Sequence, residues 1–330
     1  MTDQSNALAT SARALAYIGL GAALTSGAFA QSAYPAKPIT MIVNVAAGSS
    51  VDVVARVLSA PLRDALGQTV IIENRAGAAG NIGSEAVVRA APDGYTLLFA
   101  PASAIAINPL IYAKMSFDAF KDLVPVAAAA ITTSLVVVRP GLPVNTVQEL
   151  IAHAKANPGK VSYASPGAGS VPHLAAEIMN AMTGITTIHV PYKGAAAALQ
   201  DVMGGQVDYV FDPGTAVSHI KSGKVRLIAL ATPKRSPQFP NVPTLAETGL
   251  KDFDGSTTHG VYAPSRTPTA IVERINAEVN KILATAAVRE QLAAIAAEPT
   301  PMTPAQFRAL LEADAKRYGA IVRERKIVVD

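Results

Sequence analysis

One design occurs twice in this chain: a short apolar run, a turn of glycine and serine, then the start of an amphipathic helix. It is read at Met41–Leu58 and again at Val161–Met179. The first copy runs Met41-Ile42-Val43-Asn44-Val45-Ala46-Ala47-Gly48-Ser49-Ser50-Val51-Asp52, the second Val161-Ser162-Tyr163-Ala164-Ser165-Pro166-Gly167-Ala168-Gly169-Ser170. A strand that turns at glycine into a helix leaves the helix's first amides unpaired at the positive end of its dipole, and glycine lets an anion approach that backbone. Glycine and serine also serve ordinary turn and cap roles, which is sufficient reason for one such segment. Two matching copies favour a small carboxylate held between them.

The same alternation continues along the chain. Ile39–Val45, Thr69–Ile72, Tyr95–Ala100, Leu135–Val138, Val161–Ala164, Ile185–Val190, Tyr209–Phe211 and Leu227–Ala231 read as strands, with helical periodicity between them. That is the βαβ signature of parallel sheets, and it predicts two doubly wound α/β units. Val54, Val57, Leu58, Leu62 and Leu66 share one face of the first helix, which Gly67 ends and Pro61 is expected to kink. The last third offers two helices, one after Thr267-Pro268 with Ile271, Ile275, Val279 and Ile282 on a face. The other follows Thr303-Pro304, where Gln306 completes a capping box and Phe307, Leu310, Leu311, Ile321 and Val322 form a buried side. Terminal helices need a sheet to cover. The expected organisation is therefore a discontinuous first domain, 34–131 with 257–330, a second domain 132–256, and two crossing segments acting as a hinge. In open α/β sheets ligands lie beyond the carboxyl ends of the strands, so the cleft between domains is the expected site.

Residues 1–30 read as a cleaved secretory signal, with Arg13 ahead of the apolar stretch Ala14–Leu24 and Ala28-Phe29-Ala30 as the cleavage pattern. With no cysteine, disulfides, thiolate metal sites and a cysteine nucleophile are excluded. The net charge of +4 is spread along the chain, and the short basic cluster Arg323–Lys326 is interrupted by Glu324, so nucleic acid is not an expected partner. His153, His173, His189, His219 and His259 have no metal-ligand spacing, so no metal is expected. Gly77, Gly80 and Gly83 are spaced G-x-x-G-x-x-G, which is not the dinucleotide fingerprint, and no phosphate loop occurs. No cofactor is expected. Nor is there a G-x-S-x-G nucleophile elbow.

Further segments carry a resemblance. Tyr34-Pro35, Lys37-Pro38-Ile39-Thr40, Ala46-Ala47-Gly48, Asp52-Val53-Val54-Ala55-Arg56 and Glu73-Asn74-Arg75 come first. Ala91-Pro92-Asp93-Gly94-Tyr95-Thr96-Leu97-Leu98, Asn108-Pro109, His173-Leu174, Val190-Pro191-Tyr192-Lys193-Gly194, Gly204-Gly205-Gln206-Val207-Asp208 and Phe211-Asp212 follow in order. This ordered set resembles the periplasmic solute receptors of tripartite tricarboxylate transporters, the Bug proteins. The resemblance covers nearly the whole chain beyond the signal. It implies a periplasmic-binding-protein-like fold, a monomeric periplasmic receptor without enzymatic activity, and capture of a small organic carboxylate for delivery to membrane permease subunits. In the family the two turns act as pincers on one carboxylate. By position they are Ala47, Gly48, Ser49, Ser50 and Asp52, and Ser165, Gly167, Ala168, Gly169 and Ser170; the order of segments ends at Asp212.

Asp212, at the carboxyl end of an apolar strand, is expected to face the cleft and suit a ligand hydroxyl or ammonium, while Lys193, in a strand-to-helix turn beside glycine, reads first as a solvated lysine and second as a charge for a second carboxylate. Ser49 stands where the family usually has a second glycine, Val51 where it has threonine, and Pro166, Pro172 and Pro213-Gly214 replace small or polar residues. Thr257 and Thr258 are polar where the family often has an aromatic, which favours a hydrated pocket. These departures leave the ligand's identity open. Two other classes stay open as well: an exported enzyme using Asp52 or Asp212 as base on a carboxylate, and a ligand-presenting partner of a sensor kinase.

Overall fold

The computed structural model describes residues 34–328. The expected signal segment, residues 1–30, lies outside the described residues. From Lys37 onward the chain forms one unit, built on two sheets.

The strands are β1 (Ile39–Val43), β2 (Val70–Asn74), β3 (Thr96–Pro101), β4 (Leu123–Thr132), β5 (Leu135–Val138), β6 (Ser162–Ser165), β7 (Ile188–Pro191), β8 (Tyr209–Asp212), β9 (Arg226–Leu230), β10 (Thr257–Pro264) and β11 (Ala297–Pro299). The first sheet is ordered β11-β4-β10-β3-β1-β2 and the second β7-β6-β8-β5-β9. Both are mixed, where the alternating pattern predicted parallel pairing throughout. β1 is parallel to β2 and β3, and β6 to β7 and β8, but β10 runs antiparallel to β3 and β4, and β5 antiparallel to β8 and β9. The reversed strands are the ones that cross. β4 leaves the first sheet at its carboxyl end, passes through Thr133 and Ser134, and enters the second as β5; β10 makes the return after Gly255 and Ser256. A chain that arrives from the other sheet enters at the edge where its new neighbours end, so it must run against them. β11, a short edge strand, is also antiparallel to β4.

Helices cover both sheets. The Ser50–Leu66 helix buries Val54, Leu58, Leu62 and Leu66, continues through Pro61 and ends at Gly67, whose left-handed conformation lets its amide reach Arg63 O. The Thr269–Leu283 helix packs against it and against β4, burying Val272, Ile275, Val279 and Ile282. On the opposite face Phe307 and Leu311, from the Pro304–Glu324 helix, join Ile42, Leu98 and Tyr262 in one core. That helix starts with the predicted capping box: Thr303 Oγ1 accepts from Gln306 N at 3.2 Å and Gln306 Oε1 accepts from Thr303 N at 2.9 Å. The second sheet has a core on each face, one around Tyr163, Tyr209 and Phe211, the other around Leu199, Val202 and Val210. A fourth cluster, Ile107, Ile111, Val171, Leu174, Tyr318, Val322 and Ile327, joins helices that serve different sheets.

Candidate functional site

Both repeated turns follow strand ends as expected, and they face one cavity of about 750 Å3. Of the candidates, Ser49, Ser50, Gly167, Ala168, Gly169 and Ser170 line it. Behind β1, Ser49 caps the Ser50–Leu66 helix by accepting from Asp52 N at 3.3 Å. Behind β6, Ser170 caps the Val171–Thr183 helix by accepting from His173 N at 3.4 Å. In each case the side chain satisfies one first-turn amide and leaves others open. Ser50 and Val51 N–H in the first turn, and Ala168 and Val171 N–H in the second, have no acceptor among the described residues. The second turn presents fewer donors than its glycines suggest. Gly167 N donates to Ser165 Oγ, Gly169 N to His173 Nδ1 at 3.0 Å and Ser170 N to Gly167 O, while Pro172 has no N–H to offer.

The remaining candidates stand behind this wall. Asp52 accepts from Gly48 N at 2.9 Å, Arg56 Nε at 3.0 Å and Asn74 Nδ2 at 2.8 Å. Burial raises its carboxyl, but these bonds outweigh that and hold it below the ordinary value. Ala47 and Gly48 are exposed on the outer side of the same turn. Ser165 Oγ lies 2.7 Å from His189 Nε2, and the half-buried His189 ring stacks at 4.0 Å on the buried His173, so this turn rests on an imidazole pair. Burial, with His173 alongside, takes His189 down to about 4. Asp212 is fully buried, accepting from Gly214 N at 2.9 Å, Ala216 N at 2.7 Å and the Thr215 hydroxyl. Burial pushes its carboxyl up. It fastens the turn after β8, and its neighbour Pro213 meets the cavity instead.

Other wall residues had weaker signals in the sequence. Ala76–Gly80 line the first-sheet side. There Gly80 and Gly83 make room for Asn44, since a Cβ on either would come within 2.4–2.8 Å of that side chain. Their G-x-x-G-x-x-G spacing marks close packing against the end of β1. Ser103, Asn108 and Tyr112, from the helical turns that follow β3, and Thr257 and His259, from β10, line the cavity as well. Asn108 had stood out only within a resembling segment, and Thr257 through its polarity at the return crossing. From the second sheet come Tyr192, Lys193 and Gly194, in the turn between β7 and the Ala195–Met203 helix. Lys193 is the one lysine or arginine in this lining, and no carboxylate belongs to it.

Two mixed α/β lobes, with strands ending at a shared cleft and helix amides aimed into it, define the class of periplasmic binding proteins. Within that class the chain belongs to the tripartite tricarboxylate transporter receptor family. Residues 54–327 match the family described as "Tripartite tricarboxylate transporter family receptor". Protein BugT of Bordetella pertussis is 40% identical over 316 residues, covering 94% of this chain and 97% of BugT. Among solved structures, the periplasmic binding protein BugD aligns with a TM-score of 0.83 at 32% identity, over 89% of this chain and 99% of BugD. An R. palustris protein with adipate aligns at 0.85 and 33% identity, over 88% and 97%. MatC from Rhodopseudomonas palustris with bound malate aligns at 0.82 and 31%, over 88% and 100%.

Proposed function

We propose that this chain is a periplasmic receptor that closes on a small organic carboxylate and delivers it to the permease of a tripartite tricarboxylate-type transporter. The lobes are residues 34–131 with 257–330, and residues 132–256, turning about the crossings at Thr133–Ser134 and Gly255–Ser256. One observation carries the reading: four backbone amides without acceptors, from helix starts on both sheets, face a single cavity whose lining holds no carboxylate. An anion accepts from such donors, and a lining without acids does not repel it. Two or three charge-assisted bonds at about 1.5–3 kcal/mol each, with burial on closure, supply the roughly 8 kcal/mol of micromolar binding after ordering costs. The adipate and malate bound to the two relatives are carboxylates of the class proposed here.

The site captures its ligand unchanged. Asp52 and Asp212, the candidate bases of an exported enzyme, have their oxygens engaged by turn amides and side chains. The receptor acts as a monomer, exported by its signal segment.

A thermal-shift panel of monocarboxylates, dicarboxylates, aromatic acids, hydroxy acids and amino acids tests the proposal. A ligand at 100 times its Kd adds about 2.7 kcal/mol of stability. A shift with at least one organic anion and none with the matching amide is the expected result. A panel without any shift, or turnover of a bound acid, overturns it.

A further inference from the structure

Three hydroxyl groups in the cavity wall have no role in holding the fold. Ser50, Ser103 and Thr257 are only 4%, 9% and 7% exposed, yet no group among the described residues pairs with their side-chain oxygens. These oxygens differ from Asn44 Oδ1 and His259 Nδ1, which are unpaired but sealed off. A nearly buried hydroxyl that is reachable only from a cavity gains its hydrogen bonds from whatever fills that cavity. Two of the three flank one backbone bond. The β3–β10 ladder ends at Pro101 and His259, and just beyond it Ala102 N donates to Thr258 O at 2.8 Å, with Ser103 following Ala102 and Thr257 preceding Thr258. Ser50 begins the helix after β1, the strand on the other side of β3.

The charge of this wall selects among partners. Thr132 Oγ1 donates to Thr257 O at 3.3 Å, so His259 Nε2, also 3.3 Å from Thr132 Oγ1, is the donor of that pair and the Nδ1 position carries a lone pair. Burial holds His259 down at about 3, and the ring stays neutral. The nearby end of the wall therefore offers no cation, and Lys193 is exposed on the opposite lobe. A second carboxylate placed here would meet neutral hydroxyls and a neutral ring, with no cation to balance its charge. An alkyl chain would leave all three hydroxyls unpaired. A ligand hydroxyl both donates and accepts, and so complements each.

We infer that the ligand is a polyhydroxylated monocarboxylate, an acid of the sugar-acid class, with its carboxylate at the two helix starts and its hydroxyls on Ser50, Ser103 and Thr257. The inference rests on the carboxylate-capture reading.

Isothermal titration of the purified protein with three six-carbon acids, gluconate, adipate and hexanoate, tests it. Gluconate is expected to bind at least about tenfold more tightly than either of the others, because a site with hydrogen-bonding groups rejects analogues lacking the matching hydroxyls. In Ser103→Ala and Thr257→Val, each first verified by its circular-dichroism melt, that preference is expected to shrink several-fold. Adipate or hexanoate matching gluconate overturns the inference and leaves carboxylate capture standing, as does a preference unchanged in both variants. Gluconate failing to bind also overturns it, and the wider acid panel then decides the fate of the capture reading.

Discussion

At the scale of single residues, the two turns look alike in sequence but differ in what surrounds them. Gly48 and Gly169 both hold left-handed backbone, at φ +79° and +78°. A Cβ on Gly48 meets nothing within 4 Å, whereas a Cβ on Gly169 falls 1.9 Å from Ile111 Cδ1, across the cleft in the other lobe's packing. Alanine at either site carries the left-handed penalty of roughly 1–2 kcal/mol. At Gly169 it must in addition displace Ile111, which is 1% exposed within the cluster shared between lobes. Urea unfolding is expected to show Gly169→Ala losing at least about 1 kcal/mol more than Gly48→Ala, in line with the cost of overpacking. Equal losses would mean that Ile111 yields freely and that the second turn is not wedged by its neighbour. The same contrast explains which site residues the sequence could disclose. Glycines and serines at a strand end advertise a turn, but nothing in the string Gly167-Ala168-Gly169-Ser170 reveals that three of its amides are consumed locally. That depends on the Ser165 hydroxyl at the end of β6, and on His173, which reaches back to the turn only once the helix has formed.

At the scale of elements, legibility followed local determinism. The Pro304–Glu324 helix begins where Thr303 and Gln306 satisfy each other's backbone amides. Thr303→Ala removes the hydroxyl that accepts from Gln306 N, leaves the Thr303 amide bonded to Gln306 Oε1, and is expected to cost about 1 kcal/mol in chemical unfolding, with the m-value unchanged. A neutral substitution would show that tertiary packing alone sets the helix start. Eight strands were readable because short apolar runs lay between clear turns, and β5 was bounded to the residue. β4, β10 and β11 were not. β4 contains Pro125 and the run Ala127–Ala130, residues that avoid strands by propensity, and it is a strand because β10 and β11 pair with it on both sides. β10 includes Thr257, Thr258, His259 and Gly260, and Gly260 is required because a Cβ there would strike Phe307 and Ala127 O. These strands depend on partners far away in the chain, and a periodicity window does not see such partners. They are also the crossing strands and their neighbour, which is why the parallel pairing expected from βαβ units turned out mixed. Cavity residues Ser103 and His259 were hidden for the same reason, since they lie at or just beyond the end of this non-local ladder, and Thr257 showed only its polarity.

At the scale of the whole molecule, the lobes are tied by more than two crossings. Val171 and Leu174, from the helix behind the second turn, pack with Ile107 and Ile111 and with Tyr318 and Val322 of the C-terminal helix. Arg325 and Glu177 add an ion pair at 3.1 Å on the same side, of the partly exposed kind that contributes little by itself. On the proposed closing motion, a rotation that parts the lobes exposes some of this apolar surface to water, and the cluster then favours the closed form. Ligand capture then draws on a state that packing has already favoured, and less of the binding energy is spent on moving the lobes. Leu174 is fully buried there. Leu174→Ala is expected to lower global stability by about 2–5 kcal/mol through lost packing and the cavity left behind. Because the loss falls on the closed form more than on the open one, small-angle scattering of the unliganded variant should give a larger radius of gyration than the parent protein. Its affinity for the carboxylate should drop by the same population shift, and saturating ligand should restore the parent's dimensions. A variant that is less stable but unchanged in dimensions and affinity would confine this cluster to holding the fold, and closure would then be governed by the crossings alone.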